Sequence, residues 1–296
     1  MHSPPQVFKA EIFQKGGSFK FRGSFNSVAS LSPEQLARGV VTHSSGNHAA
    51  AVALAAQMKG AEAHIVVPRT APKVKLTAVR EYGAQVHLCE PTMDAREAAM
   101  EEIRARTGAH FIAPYNYGPT ICGQGTIATE LLEQAPELDC VVVPVSGGGM
   151  ISGIATAVKA LRPDCGVLAA EPVGLNGVAD VALAKAAGEL AEVPKTQTIA
   201  DGLQARLGDL TWPIVRDKVD AVVTVTEAEI VAAMKLCFER MKVVVEPSGA
   251  VGLAAVLTEA FRREWGERKN VGVILCGGNA DLEAKGFWDL WRLEEA

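Results

Sequence analysis

The densest run of small residues in the chain is Ser146-Gly147-Gly148-Gly149-Met150, set between the apolar residues 141–145 and a helical pattern. Small residues there let successive backbone N–H groups converge on an anion at a helix N-terminus, and a phosphate is the natural guest. A tight turn alone needs glycine only where φ is positive, and three in a row exceed that need. Three other places carry residues able to do chemistry. Lys20 lies in KGGSFKFRGS, with small residues before it and phenylalanines beside it. His43-Ser44-Ser45-Gly46-Asn47-His48 is a polar cluster between a β-rich run and a helical one. Such strand ends are where open α/β sheets bind ligands, although Ser44 or Asn47 in this position would also serve as a plain helix cap. Cys276-Gly277-Gly278-Asn279 follows another apolar run and reads as a site turn or as a turn with a packed thiol.

Two phosphate-bearing guests suit the glycine run. One is a dinucleotide. Gly147, Gly149 and Ser152 imitate GxGxxG with a small last residue, and Glu171 stands near the offset where a ribose-binding acid belongs. That reading gives a nicotinamide-dependent oxidoreductase, but Ser146 and Gly148 make a denser cradle than a dinucleotide turn needs. The P-loop is excluded, because no Lys-Ser/Thr pair follows the glycines. The other guest is pyridoxal phosphate. It requires a phosphate cup, a reactive lysine, a partner for the ring nitrogen and a cradle for the substrate carboxylate. The four segments above supply all four types.

Elements must hold these residues in place. Residues 39–48 read as a strand and turn, 49–60 as a helix ending at Gly60, and 61–68 as a strand. A helix over 71–83, a strand over 84–90, a helix over 93–108 and a strand over 109–114 continue the alternation. A second series has helices over 123–136, 148–163, 227–241 and 249–266, with strands over 139–145, 166–172, 219–225 and 270–279. Serial βα units mean parallel sheets flanked by helices, and the uninterrupted Val/Ile/Leu runs fit strands covered on both faces. Residues 172–200 are Ala/Gly-rich and read as a surface excursion.

At roughly 150 residues per domain, 296 residues suggest about two domains. With 48% hydrophobic and 21% charged residues the composition is that of an ordinary globular protein. A net charge of -5 and a pI of about 5.8 argue against a nucleic-acid partner, which would demand a basic face. No apolar run approaches the ~18 residues of a membrane span, so no membrane partner is expected. The six cysteines are scattered without CxxC or zinc spacing, which suits reduced thiols in a cytosol-like compartment. MHSPPQVFKAE shows no basic-then-apolar leader.

The segments SFKFRG, HSSGNHAAA, GQGTIATE, VVPVSGGGMISG, TIADGL, EPSGA and CGGN, in that order from about Lys9 on, together resemble the fold-type II pyridoxal-phosphate enzymes. The resemblance is strongest to the serine racemase and serine/threonine dehydratase family, and within it to plant-type serine racemases. It implies a two-domain α/β fold of the tryptophan synthase β-like kind, with a large cofactor-binding domain over residues 1–38 and 117–296 and a small domain over 39–116. It implies that Lys20 holds pyridoxal 5'-phosphate as a Schiff base, with Phe19 beside the ring and Asn47 on the phenolic oxygen. Ser146, Gly147, Gly148, Gly149 and Met150 would bind the phosphate, and Cys276, where the family usually has Ser, would face the ring nitrogen. Ser44, Ser45, Asn47 and His48 would surround the substrate carboxylate.

The family pattern also implies a divalent ion, Mg²⁺ or Ca²⁺, held by a Glu, a backbone carbonyl and an Asp. Glu171 matches the Glu. An ungapped register puts Gly177 at the Asp, whereas a three-residue insertion (residues 175–177) places Val178 and Asp180 in the ligand positions; that gapped register also aligns the later AAGEL. The family carries some tens of residues before Lys9, so an early helix and strand of the large domain are expected to be missing. The implied activity is interconversion of L- and D-serine with β-elimination of serine to pyruvate and ammonia. Ser45 stands where dehydratases commonly carry Ala, and its hydroxyl would supply a proton on the face opposite Lys20. A threonine/serine dehydratase with little racemisation is the neighbouring reading. Serine, with threonine beside it, a homodimer and a cytoplasmic location complete the expectations.

Overall fold

The computed structural model describes residues 6–71, 73–190, 192–268, 270–282 and 289. Its strands are β1 (Gln6–Ala10), β2 (Val40–His43), β3 (Ala63–Pro68), β4 (Gln85–Cys89), β5 (His110–Phe111), β6 (Cys140–Pro144), β7 (Gly166–Pro172), β8 (Ala221–Val225) and β9 (Val271–Leu275). The chain forms two compact units, one of Met1–Phe13, Gly17–Phe19 and Gln124–Ala296, the other of Gln14–Gly16 and Lys20–Gly123. Among the described residues no helix is long and apolar enough to cross a membrane.

The larger unit is built on a five-stranded sheet in the order β1-β9-β6-β7-β8, with every pair parallel. β6 is CVVVP, buried along its whole length, as a central parallel strand must be. Its residues alternate between two cores. Val141 and Val143 pack with Ile151 and Ile154 of the helix Gly149–Leu161. Val142 packs with Leu168 and with Val251 and Ala254 of the helix Pro247–Leu257 on the opposite face. Each such side chain contributes about 1.5–3 kcal/mol by leaving water. This rigid sheet positions the turns at its C-terminal edge.

The smaller unit has a four-stranded parallel sheet in the order β4-β3-β2-β5. Its core joins Val28 of the helix Lys20–Ala29 to Ala49, Val52 and Ala56 of the helix Asn47–Lys59 and to Ile65 of β3. The alanines explain why two helices lie so close. Gly123 serves the same end, since a Cβ there would stand 2.6 Å from the Arg22 carbonyl oxygen and the Gly23 Cα.

The structure departs from the sequence reading in several places. Residues 14–16, 20–38 and 117–123 belong to the smaller unit, not the larger, and Val28 and Leu31 are buried in its core. The single helix read over 249–266 is two, Pro247–Leu257 and Glu259–Trp265; Thr258 turns the chain and its hydroxyl accepts the Phe261 N–H at 3.1 Å. Residues 172–200 are not merely a surface excursion, since they hold the helix Asp180–Ala187 with Val181 and Ala184 buried. Residues 6–10, not read as a strand, pair in parallel with β9.

Candidate active site

In the larger unit the chain leaves β6, turns through Ser146, Gly147 and Gly148, and enters the helix Gly149–Leu161. Gly148 has φ 83°, a left-handed conformation, and a Cβ on it would lie 2.6 Å from Leu207 Cδ2 and 2.9 Å from Thr211 Cβ. Glycine is therefore required at this position on two counts. The turn is held from outside by residues 205–211. Thr211 Oγ1 donates to the Gly147 carbonyl at 2.8 Å and accepts the Gly208 N–H at 2.8 Å. Ser146 Oγ donates to the Ala205 carbonyl at 2.9 Å and accepts the Ala205 N–H at 2.8 Å. With its hydroxyl spent in this way, Ser146 has its main chain left for an anion. The opening N–H groups of the helix have no partner within it, so they offer a phosphate a preformed cup.

Phe19 and Cys276 are joined by backbone, the Phe19 N–H donating to the Cys276 carbonyl at 3.0 Å. Ser18 and Gly277 form an antiparallel bridge, and the Gly278 N–H reaches the Gly17 carbonyl at 2.9 Å. The Cys276 thiol is buried and lies 3.3 Å from the Ser248 carbonyl, to which it donates. Ser248 belongs to the EPSGA segment, and a Cβ on its neighbour Gly249 would stand 2.2 Å from the Gly277 carbonyl oxygen. These two Gly-containing motifs are therefore needed for backbone-to-backbone contact. Cys276 thereby lies where the backbone of the Gly17–Phe19 segment, the EPSGA turn and the CGGN turn meet.

In the smaller unit Lys20 opens the helix Lys20–Ala29, and its Nζ donates to the Pro114 carbonyl at 2.9 Å. The polar cluster after β2 forms the turn into the helix Asn47–Lys59, with Ser44, Ser45 and Asn47 half-buried. The N-cap position of this helix is Gly46, which has no side chain to cap with. Ser44 Oγ accepts the Gly46 N–H at 3.4 Å, while Ser45 makes no side-chain hydrogen bond to another described residue.

His48 differs from its expected role. Its side chain is buried, with Nε2 2.9 Å from the Ile112 carbonyl and Nδ1 3.3 Å from Ser24 Oγ. A carbonyl only accepts, so Nε2 carries the proton and Nδ1 accepts from the Ser24 hydroxyl. Burial, reinforced by the Lys20 charge, pushes the His48 pKa down to about 3. This neutral ring is committed within the fold by its two hydrogen bonds.

The three expected metal ligands converge in the larger unit. Glu171, at the end of β7, accepts the N–H groups of Val181 and Ala182 at 2.8 Å each and lies beside the Asp180 carboxyl. Thr196 Oγ1 donates to the Val178 carbonyl at 3.0 Å and reaches Asp180 Oδ1 at 3.4 Å. Gly177 takes φ 69° in the preceding turn with nothing near it. Burial, opposed by the two amides and reinforced by Asp180, raises the Glu171 pKa to about 8. Asp180 is raised by burial too. A buried carboxyl, a half-buried one and a carbonyl are hard oxygen donors that suit Mg²⁺ or Ca²⁺. Among the described residues no cluster of three His, Cys, Asp or Glu side chains could hold a metal, so the backbone carbonyl is essential to such a site. Folded onto two amides and 3% exposed, Glu171 is not placed to bind a ribose, which removes the basis of the nicotinamide reading.

Residues 3–277 match the family model described as "Pyridoxal-phosphate dependent enzyme". The chain is 55% identical over 287 residues to a serine racemase of Arabidopsis thaliana, covering 96% of this chain and 85% of that protein. It superposes on the structure of maize serine racemase with a TM-score of 0.92 at 51% identity, covering 99% and 87% of the two chains. The processed form of threonine deaminase isoform 2 from Solanum lycopersicum superposes with a TM-score of 0.91 at 33% identity, covering 99% and 79%. With the glycine cup, the lysine and the serine-rich turn in place, the chain belongs to the serine racemase family of pyridoxal-phosphate-dependent enzymes.

Proposed function

We propose that the protein interconverts L- and D-serine and also eliminates water from serine to give pyruvate and ammonia, with threonine as a second elimination substrate. The observation that carries this reading is the turn after β2, where Ser45 presents a hydroxyl committed neither to helix capping nor to another described side chain. Similarity to both serine racemases and a threonine deaminase supports the pairing of the two activities.

Residues 146–150 would hold the cofactor phosphate through main-chain N–H groups, with Cys276 beside the ring nitrogen. Pyridoxal phosphate, when bound, supplies an electron sink that acidifies the Cα–H bond of an attached amino acid. Ser44, Ser45 and Asn47 orient the substrate carboxylate. Lys20 takes the Cα proton on one face. Its return from Lys20 regenerates L-serine, whereas delivery from Ser45 on the opposite face gives D-serine. Loss of the β-hydroxyl competes with both returns and leads to pyruvate and ammonia. Glu171, the Val178 carbonyl and Asp180 hold Mg²⁺ or Ca²⁺ and tie β7 to the helix Asp180–Ala187. The reading includes a cytoplasmic homodimer, which the protein's mass in solution and its distribution in fractionated cells test.

The decisive assay measures D-serine and pyruvate from L-serine in one reaction. General acid–base groups contribute roughly 10²–10⁴-fold to their step. Ser45→Ala should therefore suppress D-serine formation at least about tenfold more than pyruvate formation. Equal loss of both products would leave Ser45 as a binding group and the protein as a dehydratase.

A further inference from the structure

Three consecutive carbonyls follow β5 in the smaller unit, and each is captured by a side chain from a different part of the chain. The Ile112 carbonyl accepts from His48 Nε2 at 2.9 Å and from Thr42 Oγ1 at 2.9 Å. The Ala113 carbonyl accepts from Thr120 Oγ1 at 3.0 Å, and that hydroxyl also meets Ser27 Oγ at 2.9 Å. The Pro114 carbonyl accepts from Lys20 Nζ at 2.9 Å. Behind the first bond stands Ser24, one turn along the helix that Lys20 opens, with its hydroxyl 3.3 Å from His48 Nδ1. Buried side-chain bonds in such a series stiffen one another and specify a single arrangement.

We infer that His48, fixed in its Nε2–H form by Ser24, is a positioning residue that sets the place of the Lys20 amine through the 112–114 strip. The geometry supports this in two ways. His48 is the second residue of the helix Asn47–Lys59, so the bond that holds Ile112 also anchors the turn carrying Ser44 and Ser45. Pro114, at the far end of the strip, has a fixed φ, which removes one of the torsions through which a displacement at residue 112 could be absorbed before it reaches the carbonyl that Lys20 holds. Ser24 is fully buried and the His48 ring nearly so, and neither is available to solvent. The inference rests on the assignment of Lys20 as the cofactor lysine.

The test is the rate at which cofactor-free protein captures pyridoxal phosphate, followed by absorbance and by borohydride fixation mapped to Lys20, beside kcat and KM for L-serine. His48→Leu removes the donor to Ile112, and His48→Gln keeps an amide N–H near the Nε2 position. Ser24→Ala leaves the imidazole in place without its tautomer-fixing partner. One positioning hydrogen bond of ordinary strength converts to roughly five- to tenfold. Capture and kcat should fall by about that factor in His48→Leu, with KM changed less. His48→Gln should restore most of the loss, and Ser24→Ala should lose several-fold while staying folded. If His48→Leu does not fold, the comparison of Ser24→Ala with His48→Gln decides. Capture and kcat within twofold of the parent in every folded variant, whatever the change in thermal midpoint, would overturn the inference and leave His48 a purely structural residue. A parent protein that fixes no pyridoxal phosphate on Lys20 would overturn the functional reading, and this inference with it.

Discussion

Replacing Gly148 with alanine tests the phosphate cup directly. A left-handed backbone costs a residue bearing a Cβ about 1–2 kcal/mol. The new methyl would also lie 2.6 Å from Leu207 Cδ2 and 2.9 Å from Thr211 Cβ. The Leu207 methyl ends a rotatable side chain and can yield. Thr211 cannot move without stretching the 2.8 Å bonds its hydroxyl makes to the Gly147 carbonyl and the Gly208 N–H. Overpacking of this kind adds about 1–3 kcal/mol. The sum is about 2–5 kcal/mol, shared between folding and the geometry of the cup. Even 2 kcal/mol placed wholly on binding is roughly a 30-fold loss of cofactor affinity. Gly177→Ala isolates the backbone cost, because Gly177 has φ 69° and nothing within 4 Å of its Cβ position. Urea unfolding of the cofactor-free variants and titration with pyridoxal phosphate supply the two measurements. The reasoning fails if Gly148→Ala is no less stable than Gly177→Ala and binds the cofactor as tightly as the parent.

Lys20→Ala should abolish both the borohydride-sensitive absorbance and both activities; peptide mapping that finds the reduced cofactor on another lysine would refute the assignment. Removing divalent ions with a chelator should lower the thermal midpoint or the activity, and Asp180→Ala should erase that sensitivity; an Asp180→Ala protein that responds to chelator like the parent would return the ligand position to another residue. The contribution of His48 to stability should fall as pH drops below about 6.5, because the unfolded chain protonates His48 near its ordinary value of 6.5 while burial holds the folded form neutral down to about 3. This contribution is fully present above pH 6.5, and at pH 5 the loss is roughly 2 kcal/mol. His43, His64, His87 and His110 are also lowered by burial and add in the same sense, while Glu171 and Asp180, raised by burial, act in the opposite sense, so the comparison is with His48→Gln. A variant whose urea midpoints at pH 7 and pH 5 differ as much as the parent's would show that His48 does not titrate as argued.

The features read correctly from the sequence are those whose cause is local. Three glycines before a helix state their own reason, since φ 83° at Gly148 excludes other residues wherever the turn is placed. The continuous runs of β6, β7 and β9 announce strands covered on both faces, because only burial accounts for them. What eluded the reading depends on partners far away in the chain. His48 sits in a polar turn and looks like a ligand for the substrate, but its two nitrogens are claimed by Ser24, 24 residues before it, and by Ile112, 64 residues after it. Glu171 suits a ribose or a cation equally until the amides of Val181 and Ala182 close on it and bring Asp180 alongside. The helix Lys20–Ala29 follows a glycine-rich segment of the larger unit, and nothing local reveals that Val28 completes the core of the smaller one. Residue type thus marks where chemistry can occur, and the pairing of buried polar atoms decides which candidates remain free to perform it. By that criterion the His48 ring is spent within the fold, and Ser45, whose side chain makes no hydrogen bond to another described residue, keeps a hydroxyl for the proton delivery proposed above.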